Sequence, residues 1–146
     1  MLKRYTFWFS AAILFPLLTG VLHAISLFIK PEPANDIERQ LVDLITTYKM
    51  DVGGGFTPTY SNLFTALSSC FTFLCLYAGL TNGYLLIKQA EPNVMKGILA
   101  INVAIFGVVL LVMAFFTFLP PIVCSAFIFV NLLAAYIVCP KIESSI

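Results

Sequence analysis

A single histidine, His23, stands inside a long apolar run, and within such runs it is the one side chain able to exchange a proton near neutral pH. Pro16, Thr19, Gly20, His23 and Ser26 follow one another at steps of three and four residues, which puts them on one helical face. A second apolar run carries a longer stripe of the same kind: Ser61, Thr65, Ser68, Thr72, Cys75, Gly79 and Asn82, widened by Ser69. Counted from the end of its helix, His23 lies roughly 9 Å deep at 1.5 Å per residue, which places it level with Ser61, Thr65, Ser68 and Ser69 if both helices start at the same height. His23, Thr19, Ser26, Ser61, Thr65, Ser68 and Ser69 are therefore the candidate ligand-binding residues. Imidazole and hydroxyl groups between helices orient the polar end of an apolar molecule. They also serve ordinary helix packing, where small residues let backbones approach and hydroxyls cross-link neighbours. The spacing is the same for both.

No catalytic set accompanies these residues. One histidine makes a poor metal site, and bis-histidine haem or diiron chemistry needs more, so no metal, haem or other cofactor is expected. Cys70 and Cys75 have four residues between them rather than two and no loop cysteine to feed them, unlike thiol oxidases related to the vitamin K epoxide reductases. With Cys124 and Cys139 they all fall in apolar runs, so no disulfide framework is expected, and claudin-like or tetraspanin-like proteins do not match. The first run holds no carboxylate of the kind that small multidrug exporters use for proton coupling. Gly53-Gly54-Gly55 lacks the Lys-Ser/Thr that completes a phosphate-binding loop and reads as a hinge.

The elements that hold these residues are four apolar stretches: Tyr5 to Ile29, Asn62 to Ile87, Met95 to Phe118 and Ile122 to Cys139. A hydrocarbon core about 30 Å thick needs about 20 helical residues to cross it, and none of these stretches contains Asp, Glu, Lys or Arg. The fold class is all-α, a bundle of four transmembrane helices forming one membrane domain over residues 1–146. A composition 60% hydrophobic and 10% charged agrees, and a net charge of +1 without a basic cluster sets nucleic acid aside. The first stretch is too long for a signal peptide and ends without a cleavage pattern, so it reads as a retained span. In the third span Gly97, Ala100, Ala104 and Gly107 form a small-residue seam, with Asn102 on another face; in the fourth, Cys124 and Asn131 share nearly one face.

The long polar loop, residues 30–61, opens with Pro31-Glu32-Pro33. Asn35 then caps a short amphipathic helix over about 36–49, and Glu38 completes a capping-box pattern. Ile37, Leu41, Leu44, Ile45 and Tyr48 line its apolar side, so it rests on the bundle or the membrane surface, as a lid or a partner site. Short connections around Pro92 and at Leu119-Pro120-Pro121 predict that the second, third and fourth spans pack as consecutive antiparallel neighbours.

Lys3, Arg4, Lys88, Lys96 and Lys141 lie on the side of the termini, against Lys30, Arg39 and Lys49 in the acid-rich loop. Basic residues are retained in the cytoplasm, so both termini are expected there and the loop outside.

Phe7-Trp8, Gly20-x-x-His23 and the entry Thr57-Pro58-Thr59-Tyr60, with the polar outer loop, resemble small uncharacterised bacterial four-helix membrane proteins. The resemblance covers the whole topology. It implies a bacterial inner membrane and supplies no activity. The expected function is binding of a lipid, quinone or other apolar molecule, or of a partner subunit or second copy, in the outer half of the bundle. The rival readings are an enzyme or accessory redox subunit acting on a lipid or quinone, and a purely structural subunit of a membrane complex.

Overall fold

The computed structural model describes residues 2–29 and 32–140; Met1, Lys30, Pro31 and residues 141–146 lie outside the described residues, as do the side chains of residues 2–4. The basic residues Lys3, Arg4, Lys30 and Lys141 thus have no structural account. The described chain forms five helices: α1 (Leu2–Ser26), α2 (Asp36–Thr47), α3 (Tyr60–Ile87), α4 (Pro92–Phe116) and α5 (Leu119–Val138). All but α2 are long and apolar enough to cross a membrane. Their exposed surfaces carry large apolar side chains such as Leu18, Phe73, Val108 and Ile137, as lipid-facing surfaces do.

Local signals set the helix ends. The Asn35 side chain accepts from the Glu38 N–H at 2.9 Å, and the Glu38 carboxylate reaches back to the Ala34 N–H at 2.6 Å. Thr59 caps α3 by accepting from the Asn62 N–H at 3.2 Å. Pro92, Pro120 and Pro121 fall inside the first turns of α4 and α5, so both helices begin three residues earlier than the apolar runs. A first turn has no intrahelical use for its N–H groups, and proline's fixed φ suits it. α3 closes on a Schellman-type turn, with Ala90 N–H donating to Leu85 O and Gln89 N–H to Leu86 O. Gln89 occupies the left-handed position there, at φ 49°.

Residues 49–59 form a small closed loop and not the open hinge expected of three glycines. Lys49 and Thr59 pair as an isolated antiparallel bridge, and Met50 N–H donates to Pro58 O at 2.9 Å. Gly53, Gly54 and Gly55 make the tip, all with positive φ (82°, 64° and 81°) that side chains with a Cβ rarely adopt.

In the bundle, α1 lies between α3 and α5, and α4 packs on α5. The expected neighbour pair of second and third spans is therefore corrected: α3 and α4 touch only sparsely. The reason lies in where the small residues face. Gly79 meets Leu17 and Ile13 so closely that an added Cβ would come within 2.5 Å of Leu17 Cγ. Gly20 likewise meets Leu76 and Cys75, with contacts from 3.1 Å. On α4, Gly97 has nothing within 4 Å, and Ala100 and Ala104 are exposed. The predicted α4 seam thus faces outward, apart from Gly107 against Phe129. The buried face of α4 is instead Met95, Leu99, Asn102 and Phe106.

The remaining ties are aromatic and polar. Phe15 stacks on Phe127 across α1 and α5, with centroids 5.7 Å apart and planes at 4°. Tyr5 OH donates to Met95 Sδ at 3.4 Å. Cys139 Sγ approaches Pro92 O at 3.7 Å, closing α5 on the start of α4. At the other end, Leu111, Val112, Phe115 and Phe116 of α4 are all exposed. Burial thus continues to the end where α1 starts and α5 finishes and is lost in the last turns of α4 at the α2 end.

Gly79→Ala should lower stability by about 1–3 kcal/mol, because the new methyl overlaps Leu17 and faces the Ile13 carbonyl. Gly97→Ala should leave stability unchanged or raise it, since alanine is the better helix former and has room. Thermal melting in one detergent compares the two, and equal losses would contradict this packing.

Candidate functional site

The contacts of Gly20 with Cys75 and Leu76, and of Gly79 with Leu17 and Ile13, fix the antiparallel register of α1 on α3. One turn beyond Gly20 comes His23, whose ring meets Phe71 edge-on at 5.2 Å. His23 is therefore level with Phe71 and Thr72, and the expected match with Ser61 and Thr65 is corrected. α3 has 28 residues and overhangs the end of α1, so Ser61 lies about 16 Å farther along α3 than Thr72.

The seven candidate residues do not form one hydrogen-bonded cluster. Ser26 Oγ donates to the His23 carbonyl at 2.7 Å and Ser69 Oγ to the Thr65 carbonyl at 2.7 Å, each within its own helix. The register brings Ser26 near the level of Ser68 and Ser69, while Thr65 is exposed and Ser61 and Thr19 are partly covered. Thr72, level with His23 by this register, is buried at 6% exposed. His23 Nε2 and Thr72 Oγ1 are both buried with no hydrogen-bond partner. Two polar atoms in want of partners thus lie at one level of the α1–α3 seam, where an apolar surrounding makes that costly.

Deeper in the bundle is a polar contact that helical spacing did not bring out. Asn82 of α3 and Asn102 of α4 are both buried, and Asn102 Nδ2 donates to Asn82 Oδ1 at 3.1 Å. Asn131 of α5 is buried as well, donating to the Phe127 carbonyl at 2.7 Å. The register of α4 on α5, set by Gly107 against Phe129 and Lys96 against Tyr136, puts Asn131 at the height of Asn102. Asn82 Nδ2 has no partner. The signal for this layer was present as three asparagines in three spans, but pairing them needed the helix order.

An apolar concavity lies at the α2 end. Leu41, Leu44, Ile45 and Tyr48 of α2 and Tyr60 and Phe64 of α3 line a groove of about 420 Å³. That volume lies within the range of sites that hold small apolar molecules. α2 buries no residue, and its apolar side stays open: Ile37 is 79% exposed and Leu44 58%. Among the described residues no group of three or more His, Cys, Asp or Glu is placed to hold a metal ion, and all four cysteines are free.

No protein family, curated protein or solved structure matches the chain.

The asparagine contact should appear as coupling in a double-mutant cycle. Asn102→Leu leaves Asn82 buried without its donor, so Asn82→Leu added to it should cost little more. The coupling expected from melting in detergent is about 0.6–1.7 kcal/mol, the range of interhelical hydrogen bonds in membranes. Strict additivity would separate the two amides.

Proposed function

We propose that this chain is a multi-pass protein of a bacterial inner membrane that binds an apolar, lipid-like molecule at the loop end of its bundle. The observation that supports this most is the groove between α2 and α3, an apolar concavity built from both sides and placed at the end of a span. The unpartnered pair His23 Nε2 and Thr72 Oγ1 lies in the same half of the bundle. Groove and pair lie at different depths, His23 and Thr72 roughly 12 Å or more along α3 from Phe64, so the groove carries the reading and the polar pair is a separate feature of the same half.

The proposed orientation keeps both termini in the cytoplasm. Lys88 and Lys96 at the terminal end each lie over a tyrosine ring, Lys88 on Tyr84 at 5.9 Å and Lys96 on Tyr136 at 5.2 Å. Lysine and tyrosine at a helix end mark a membrane interface, and the lysine side is retained inside. The loop carrying Glu32, Asp36, Glu38, Asp43 and Asp51 then faces outward.

Two measurements test this reading. An impermeant thiol reagent added outside intact cells should label a cysteine placed at Gln40, an exposed position of α2, and should not label one placed at Ser145. The reverse labelling overturns the orientation. Native mass spectrometry after gentle extraction should show an apolar adduct on the parent chain. The double change Leu41→Gln/Leu44→Gln should reduce that adduct by about tenfold or more, from two lost apolar contacts. These residues are exposed, so the four-span bundle itself should hold. An adduct unaffected by the change would overturn the groove as the site.

A further inference from the structure

We infer that the occupant of the α2–α3 groove is one acyl chain of a bilayer phospholipid whose headgroup carries an ammonium, entering sideways from the leaflet on the loop side; this rests on the groove being a binding site. Access comes first. Phe64 forms part of the groove and is 54% exposed, and Tyr60, Phe64 and Leu67 follow one another along α3 at helical spacing. Apolar surface therefore runs from the groove down the exposed side of a membrane span. An acyl chain already in the bilayer reaches the groove along that surface without crossing water.

Depth agrees with access. α3 rises about 42 Å over its 28 residues, more than the ~30 Å hydrocarbon core. Its first turns, with Tyr60 and Phe64, therefore fall at the boundary where acyl chains meet headgroups. Tyr48 and Tyr60 bring to that boundary the amphipathic rings that favour it.

Charge selects the headgroup. α2 presents Asp36, Glu38 and Asp43 against Arg39, which lies 3.5 Å from Asp36, and just beyond its end exposed Lys49 is offset by exposed Asp51, so acids outnumber bases on this surface. Interfacial helices that hold anionic lipids carry Lys and Arg on this side. α2 does the opposite, so its field attracts a choline or ethanolamine nitrogen and repels a headgroup of net negative charge.

The test uses the full chain in vesicles of equal parts phosphatidylethanolamine and phosphatidylglycerol with identical acyl chains. Native mass spectrometry should find the ethanolamine lipid retained about fivefold over the glycerol lipid. Asp36→Asn/Asp43→Asn should bring that ratio towards one while leaving the total retained unchanged; both carboxylates are exposed, so the fold should hold. A second measurement asks where the chain lies. In the double change Trp8→Phe/Phe64→Trp the indole at position 64 is the only one, and bromine on the acyl chains should quench its emission. Leu41→Gln/Leu44→Gln in that background should weaken the quenching. A preference for the anionic lipid, a ratio indifferent to the two carboxylates, or no quenching overturns the inference. An apolar adduct other than a phospholipid overturns it while sparing the broader reading, and no apolar adduct overturns both.

Discussion

How closely α1 can approach α3 governs the rest of the bundle. In hydrocarbon the surroundings of a helix are as apolar as its neighbours, so helices associate through close van der Waals contact and polar ties more than through burial. Gly79 and Gly20 remove the side chains that would hold the two backbones apart, and Leu17 and Leu76 fill the space so made. Once α1 is seated there, its other side is committed to α5 through the Phe15 and Phe127 stack. α4 reaches the structure mainly through α5, and Gly97, Ala100 and Ala104 are left facing outward.

That arrangement explains why the two ends of the bundle differ. α3 and α4, although adjacent in sequence, share a sparse interface whose polar tie is the Asn82–Asn102 hydrogen bond. On the terminal side of this bond the short turn at residues 88–91 and the Cys139 contact with Pro92 keep the helices together. On the loop side no comparable tie joins α3 to α4 among the described residues. The last turns of α4 lie open, and the polar atoms of His23 and Thr72 remain unpaired there. The third unpartnered atom, Asn82 Nδ2, lies at the asparagine layer itself.

The sequence revealed what depends on neighbours along the chain. The four spans follow from apolar length, and the α2 cap follows from Asn35 and Glu38, because both are local properties. Direction of burial is not local. Gly97, Ala100 and Ala104 have the same spacing whether they face a helix or lipid, and the lipid-facing reading emerges only once α1 is known to occupy the middle. The depth of His23 failed for a related reason. Counting both helices from one boundary ignores the overhang of α3, and the true partner level, Phe71 and Thr72, was hidden by it. The Leu119-Pro120-Pro121 segment looked like a connection because proline interrupts helices, yet in a first turn it begins one.

The overhang also determines what kind of site the loop end can make. Were α3 as short as α5, with 20 residues, its N-terminus would end level with its neighbours and α2 would have no span to pack against. The additional turns lift Tyr60 and Phe64 beyond the end of α1, and α2 then covers one side of them without burying any of its own residues. A helix held that loosely gains little from the protein alone. On the proposed reading a molecule in the groove completes its apolar side, and one that binds the docked helix and not the free one stabilises the docked state with the logarithm of its concentration. For the proposed lipid site, the placement of α2 would then be a thermodynamic part of binding, with its acidic side held by the same docking.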